Sequence, residues 1–219
     1  MLRALFEKTG NAAYISHLDL MRVFQRSFKR AGLPLTHTKG FNPRPSVSIA
    51  LPLSVGVESS CELLDFDLDC DHISCEDICS RLNETLVDGV KVLAVYDNGT
   101  KIKHLSFLQC CVDLEYDAQI PQNIADAIRE LFSRQEVLVE KKSKNGISEQ
   151  NIIPMIRSLE VLPMDEHWIR IQAKICCQNP TLNPAQIGAA IEKYLPDMKP
   201  DFIRCSRVEI FDTNDSLFR

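Results

Sequence analysis

The chain has 219 residues, 45% of them hydrophobic and 25% charged, with a net charge of −5. That length suits one large domain or two small ones, and the composition is that of an ordinary soluble globular protein. No run of about 18 apolar residues exists, so no membrane span or membrane partner is expected, and the start MLRALFEKTG lacks a signal-peptide apolar region, which points to a cytoplasmic protein.

Arg3 to Lys8 reads as a short strand. Ser16 opens a helix: its hydroxyl can cap free N–H groups, and Asp19 stands at the capping-box position three residues on. Gly32 ends that helix, with Pro34 just beyond. Strands are expected over Ser46–Leu53 and Glu62–Asp69, a helix over Ser74–Leu86 and a strand over Val90–Tyr96. The same order then recurs. Ser106–Tyr116 is a strand, Pro121–Ser133 a helix, and Val137–Lys142 a strand ended by the Asn145-Gly146 turn signal. Asn151–Pro163 reads as an inserted strand and turn, Trp168–Cys177 as a strand, Asn183–Leu195 as a helix and Phe202–Phe211 as a last strand.

The expected fold class is therefore α+β, with two ferredoxin-like βαββαβ halves forming a double-ferredoxin-like architecture. The halves are residues 1–100 and 101–219, divided in the polar stretch Asp97–His104.

Charge is unevenly spread along this framework. Residues 1–50 carry eight Lys or Arg against two Asp or Glu, whereas residues 51–100 carry two against eleven. The total discourages nucleic-acid binding, but the local excess of cations keeps it open. On a helical wheel Arg22, Arg26, Lys29 and Arg30 share one face, opposite Leu20, Phe24, Phe28 and Ala31. A solvated helix face is the plain explanation. Three features weigh against it: four cations stand against one acid, Arg outnumbers Lys, which suits bidentate phosphate recognition, and the following loop adds Lys39 and Arg44.

That loop reads Lys-Gly-Phe-Asn-Pro-Arg-Pro from Lys39. Gly40 permits unusual backbone shapes and close approach, and Pro43 and Pro45 stiffen the segment. Phe41 offers either a stacking face for a base or a plug for the core, and Asn42 can donate and accept hydrogen bonds. His17 and His37 fit packing or capping better than catalysis.

Tyr-Ile-Ser-His-Leu-Asp-Leu-Met-Arg from Tyr14, Arg-Ala-Gly-Leu-Pro from Arg30, Gly-Phe-Asn-Pro-Arg-Pro from Gly40 and Leu-Pro-Leu-Ser-Val-Gly-Val-Glu-Ser from Leu51 resemble the radical-SAM-linked protein family, a bacterial family of unknown function. Its members occur beside, or fused behind, cobalamin-binding radical SAM proteins. The resemblance implies such a protein as partner and supplies no reaction. The fold is also similar to that of tRNA pseudouridine synthases, but Pro52-Leu53-Ser54-Val55 precedes Gly56-Val57 where those enzymes need an Arg-Thr-Asp run, so their catalytic aspartate is absent.

Signs of independent chemistry are few. The Cys-x3-Cys-x2-Cys spacing of a radical SAM cluster is missing, as are Gly-rich phosphate loops, GxSxG and HExxH. Nine cysteines without a secretory signal read as reduced core thiols. Cys70, His72, Cys75 and Cys79 could meet a metal, but the spacing is not a standard zinc pattern. The acidic run Glu62, Asp65, Asp67, Asp69 and Asp71 could bind Mg²⁺, but reads better as a solvated strand face. No cofactor, metal or catalytic residue is assigned. The expectation is a non-catalytic accessory protein binding tRNA or rRNA through His17, Arg22, Arg26, Lys29, Arg30, Lys39, Gly40, Phe41, Asn42 and Arg44. One alternative is a protein-interaction subunit whose motif loop docks directly on the radical SAM partner without RNA, with Phe41, Pro43 and Pro45 as interface anchors, and a lower one is an RNA-modifying enzyme using His17 and Asp19.

Overall fold

The computed structural model describes residues 1–70, 73–143 and 146–219. The chain divides into two compact units, Met1–His104 with Phe218–Arg219, and Leu105–Leu217.

The first unit contains β1 (Leu2–Lys8), α1 (His17–Arg30), β2 (Val47–Ala50), β3 (Glu58–Phe66), α2 (Cys75–Asn83) and β4 (Val90–Asp97). Its strands lie in the order β4-β1-β3-β2, and every neighbouring pair is antiparallel. This is the ferredoxin-like βαββαβ arrangement. The helix α1 forms where its caps and its apolar spacing agree. The Ser16 hydroxyl accepts from the Asp19 amide at 3.2 Å and donates to the Asp19 carboxylate at 2.7 Å. At the far end Gly32 adopts φ +67°, the Leu33 amide donates to the Phe28 carbonyl at 2.9 Å, and the Gly32 amide to the Lys29 carbonyl at 3.3 Å. That is a Schellman stop, which satisfies the last carbonyls of the helix.

Leu20, Phe24 and Phe28 turn inward from α1 and are buried. The Phe24 ring meets Phe6 of β1 edge-on at 4.8 Å, and Phe28 meets Phe66 of β3 at 4.8 Å. Each such ring removed from water contributes about 1.5–3 kcal/mol. Ile78 and Leu82 of α2 close the same core beside Val90 and Val92.

The second unit contains β5 (Leu105–Glu115), α3 (Ile124–Phe132), β6 (Leu138–Ser143), β7 (Gly146–Asn151), β8 (Ile156–Pro163), β9 (Trp168–Cys176), α4 (Ala185–Tyr194) and β10 (Phe202–Asp212). Its main strands run in the order β10-β5-β9-β8, with β5 paired to both β9 and β10 and β8 to β9. Here the expectation from sequence is corrected. The strand expected over Val137–Lys142 does not join this sheet; as β6 it pairs with β7 in a separate two-stranded hairpin. The strand that fills the sheet position is β8, in the segment read as an insertion. The reason is visible in β8: among the described residues it pairs with β9 alone, and it buries only Val161 fully, so it lacks the alternation that marks a half-buried strand. Asn145 of the expected turn, and Lys144, lie outside the described residues.

Both units are thus built on the same α+β order, as the sequence suggests. Among the described residues, no helix is long and apolar enough to cross a membrane. All nine cysteines are free thiols. Burial pushes Cys110 and Cys177 up to about 12 and Cys205 up to about 11, which holds them protonated and unreactive near neutral pH.

Candidate nucleic-acid interface

The interface expected from sequence lies wholly in the first unit, on α1 and the loop that follows it. Arg22, Arg26, Lys29 and Arg30 all point away from the buried face of α1 and are exposed. Their surroundings divide them. The Arg22 guanidinium pairs with Asp19 at 2.7 Å, on a surface where such a pair contributes little. Asp19 is held below its ordinary carboxyl value, first by the Ser16 hydrogen bond and then by that to Arg22. Arg30 reaches back to the Thr85 carbonyl and to the Ser27 hydroxyl, so it ties α1 to the turn after α2. Among the described residues, no acid pairs with Arg26, Lys29, Lys39 or Arg44. His17 is half-buried as the first residue of α1, and His37 is exposed at the base of the loop.

The loop is the tip of a short hairpin. The Thr38 amide donates to the Arg44 carbonyl at 2.8 Å, the Arg44 amide to the Thr38 hydroxyl at 3.0 Å, and the Ser46 amide to the Thr36 carbonyl at 2.8 Å. Its base is fastened to the end of β3, where the Thr36 amide donates to the Asp67 carbonyl at 2.9 Å and the Asp69 amide to the Pro34 carbonyl at 2.8 Å. Gly40 at the tip has φ +151°, and a Cβ there would meet nothing within 4 Å. Its glycine therefore serves backbone conformation, and the space above it is open. Phe41 is 101% exposed, which decides between the two readings of that ring: it is not a core plug. Asn42 and Pro43 are exposed beside it.

Sequence reasoning missed a cavity of about 330 Å³ between the C-terminal end of α1 and this hairpin. Gln25, Phe28 and Lys29 line it from the helix, Gly32, Leu33, Pro34 and Leu35 from the turn, and His37 and Pro45 from the hairpin base. The signal available in the sequence was the apolar Leu33-Pro34-Leu35 run beyond the helix stop, too short to read as an element.

Two other cations of residues 1–50 are absent from the surface. Arg3 is 2% exposed and grips Asp65 with two bonds of 2.5 and 2.9 Å, while also donating to the Thr100 carbonyl at 2.8 Å. Lys8 is 1% exposed and donates to the Ala13 carbonyl at 2.9 Å. Burial lowers its pKa and the charge of Glu62 opposes that shift. The same Ala13 carbonyl accepts from the Gly56 amide at 2.9 Å, so Lys8 holds the turn before α1 and the loop after β2 together. The expected solvated acidic face is corrected accordingly: Glu62 and Asp65 are buried against these cations, Asp67 meets the N-terminal amine at 3.1 Å, and Asp69 is exposed. Asp71 and His72 lie outside the described residues. Among the described residues, no cluster of three or more His, Cys, Asp or Glu side chains is placed to hold a metal ion.

Near the start of α1 a second feature emerges. Tyr14, Leu18 and Val55 are exposed large apolar side chains, and Gly56 lies against the Tyr14 ring, where an added Cβ would sit 3.9 Å away.

An α+β protein with a ferredoxin-like unit carrying a cationic helix and hairpin is the class these features define. The chain belongs to the family described as uncharacterized protein conserved in bacteria (DUF2344), whose model matches residues 1–184. Comparison with curated proteins finds no match. Among solved structures, a chain of a Cbf5-Nop10-Gar1 complex is similar over 94% of this chain and 48% of its own length, at 9% identity and a TM-score of 0.48. The chain thus spans about half of that protein. An unknown protein from Galdieria sulphuraria is similar over 94% of this chain and 97% of its own, at 10% identity and a TM-score of 0.27. Neither likeness bears on function.

Proposed function

We propose that the protein is a non-catalytic accessory factor that binds single-stranded or loop regions of tRNA or rRNA through α1 and the Gly40–Pro45 loop. In this reading it presents the RNA to a cobalamin-binding radical SAM enzyme, the partner that the motif resemblance implies. One observation carries it: Arg26, Lys29, Lys39 and Arg44 stand exposed without an acid partner among the described residues, in the same two segments that hold a fully exposed Phe41. Cations that no carboxylate neutralises are free to replace the counterions of phosphates. A fully exposed aromatic ring presents a face on which a base can stack.

A second reading, direct docking on the radical SAM protein, is favoured by Tyr14, Leu18 and Val55, three exposed apolar side chains within the quoted motifs. The two readings use different side chains, so one experiment separates them. Tagged protein and its radical SAM neighbour are co-expressed and captured with and without nuclease. The RNA reading expects recovered RNA that falls by about tenfold in Phe41→Ala, the scale of one lost stacked base, with the melting temperature unchanged. Recovery of the partner without RNA, resistant to nuclease and lost in Leu18→Ser, would contradict it and leave the docking reading.

A further inference from the structure

We infer that the cavity between α1 and the hairpin is a receptor for one unstacked base of the bound RNA. This rests on the RNA-binding reading above and names what that site recognises. The placement is the first argument. The lining residues come from the same two elements that carry the unpaired cations, and Lys29 belongs to both sets. Lys39 and Arg44 are exposed on the same hairpin that supplies His37 and Pro45 to the cavity, so that hairpin also carries groups that attract phosphate.

Size and lining are the second. A volume of about 330 Å³ lies at the small end of ligand sites, suited to a flat heterocycle. Phe28 and Leu33, each 1% exposed, provide an apolar floor, and Pro34, Leu35 and Pro45 provide aliphatic walls. The polar groups are Gln25, Lys29 and His37, with no carboxylate among the lining residues. A carboxamide presents both donors and an acceptor, and an imidazole presents one of each when neutral, which matches the mixed hydrogen-bonding edge of a base.

Rigidity is the third. The Schellman stop at Gly32 fixes one wall, and the Thr36, Thr38 and Ser46 backbone bonds fix the other. A preformed cavity loses little on ordering when its ligand enters. The charge decides the occupant: a peptide side chain would be served by the apolar floor, whereas a lining that holds Lys29 and no carboxylate suits a polyanion.

The test uses the Phe41→Ala protein, so that stacking on that ring cannot supply base dependence. Fluorescence anisotropy compares a single-stranded RNA oligomer of about twelve residues with an abasic-spacer oligomer of equal phosphate number. The base-bearing oligomer is expected to bind about tenfold more tightly. Adding Gln25→Ala with His37→Ala, or Leu35→Trp to fill the cavity, should bring it down to the abasic affinity while the abasic affinity stays constant. The first of these changes surface side chains, so it keeps the test valid if Leu35→Trp unfolds. Equal binding of both oligomers, or no effect of the cavity variants, would overturn the inference and leave RNA binding standing. Failure of wild type to bind either oligomer would overturn the RNA reading, and the inference with it. Cavity variants that release the radical SAM partner but not RNA would assign the cavity to a protein side chain and overturn it as well.

Discussion

Arg3 and Lys8 count toward the positive excess of residues 1–50, yet neither can reach a partner. Arg3 sits opposite Asp65 in the pairing of β1 with β3, two strands whose contact residues are 62 apart in sequence. That separation is why the sequence could not reveal the pair: strand register is set by the fold and leaves no local trace. A buried ion pair contributes little over an apolar replacement, but an orphaned member is costly. Arg3→Ala is therefore expected to destabilise the protein by about 3–5 kcal/mol, with Arg3→Met/Asp65→Leu recovering most of that loss in denaturant unfolding. A loss confined to a few tenths of a kcal/mol, about the scale of a surface pair, would show that Asp65 is not buried as described. Phe41 shows the opposite limit of legibility. The sequence left its ring balanced between core and solvent, because a Gly-Phe-Asn-Pro loop specifies a turn but not which way its aromatic residue faces.

At the scale of elements, α1 was legible almost to its last residue. A Ser cap, an acid three residues on, apolar spacing along one face and a Gly stop all agree, and local signals of that kind suffice for a helix. Ser16→Ala is expected to cost about 1 kcal/mol by removing the acceptor for the Asp19 amide. The cap also carries a pH dependence. Asp19 has its folded-state pKa depressed below the ordinary 3.8, so its contribution is present above that value and is lost as pH falls through the folded pKa. Acid titration of stability should therefore be shallower below about pH 4 in Asp19→Asn than in wild type. An identical slope in both proteins would remove Asp19 from the cap. The second unit was harder to read because an Asn-Gly turn and an apolar run mark a hairpin whether or not that hairpin belongs to the main sheet. The choice between β6 and β8 is made by tertiary pairing with β9, which neither segment encodes alone. The cavity was invisible for a similar reason, since its walls come from helix, turn and hairpin base.

Across the whole molecule the net charge of −5 conceals a division of labour among like charges. Some cations of the first fifty residues are spent on internal structure, some on holding segments together, and Arg26, Lys29, Lys39 and Arg44 remain on the surface without acid partners among the described residues. A protein that is acidic overall is repelled by nucleic acid at long range and must bind through a local patch. In the proposed function this patch meets the phosphates of the RNA. The most direct measurement is RNA affinity across a salt series, for wild type and for Arg26→Ala/Arg44→Ala. Each phosphate contact to a single strand adds about 0.7 to the slope of log affinity against log salt. Wild-type binding is expected to depend on salt, with a slope that falls by about 1.4 in the double variant while unfolding is unchanged. Binding that ignores salt, or a slope that the double variant leaves intact, would contradict the proposed function.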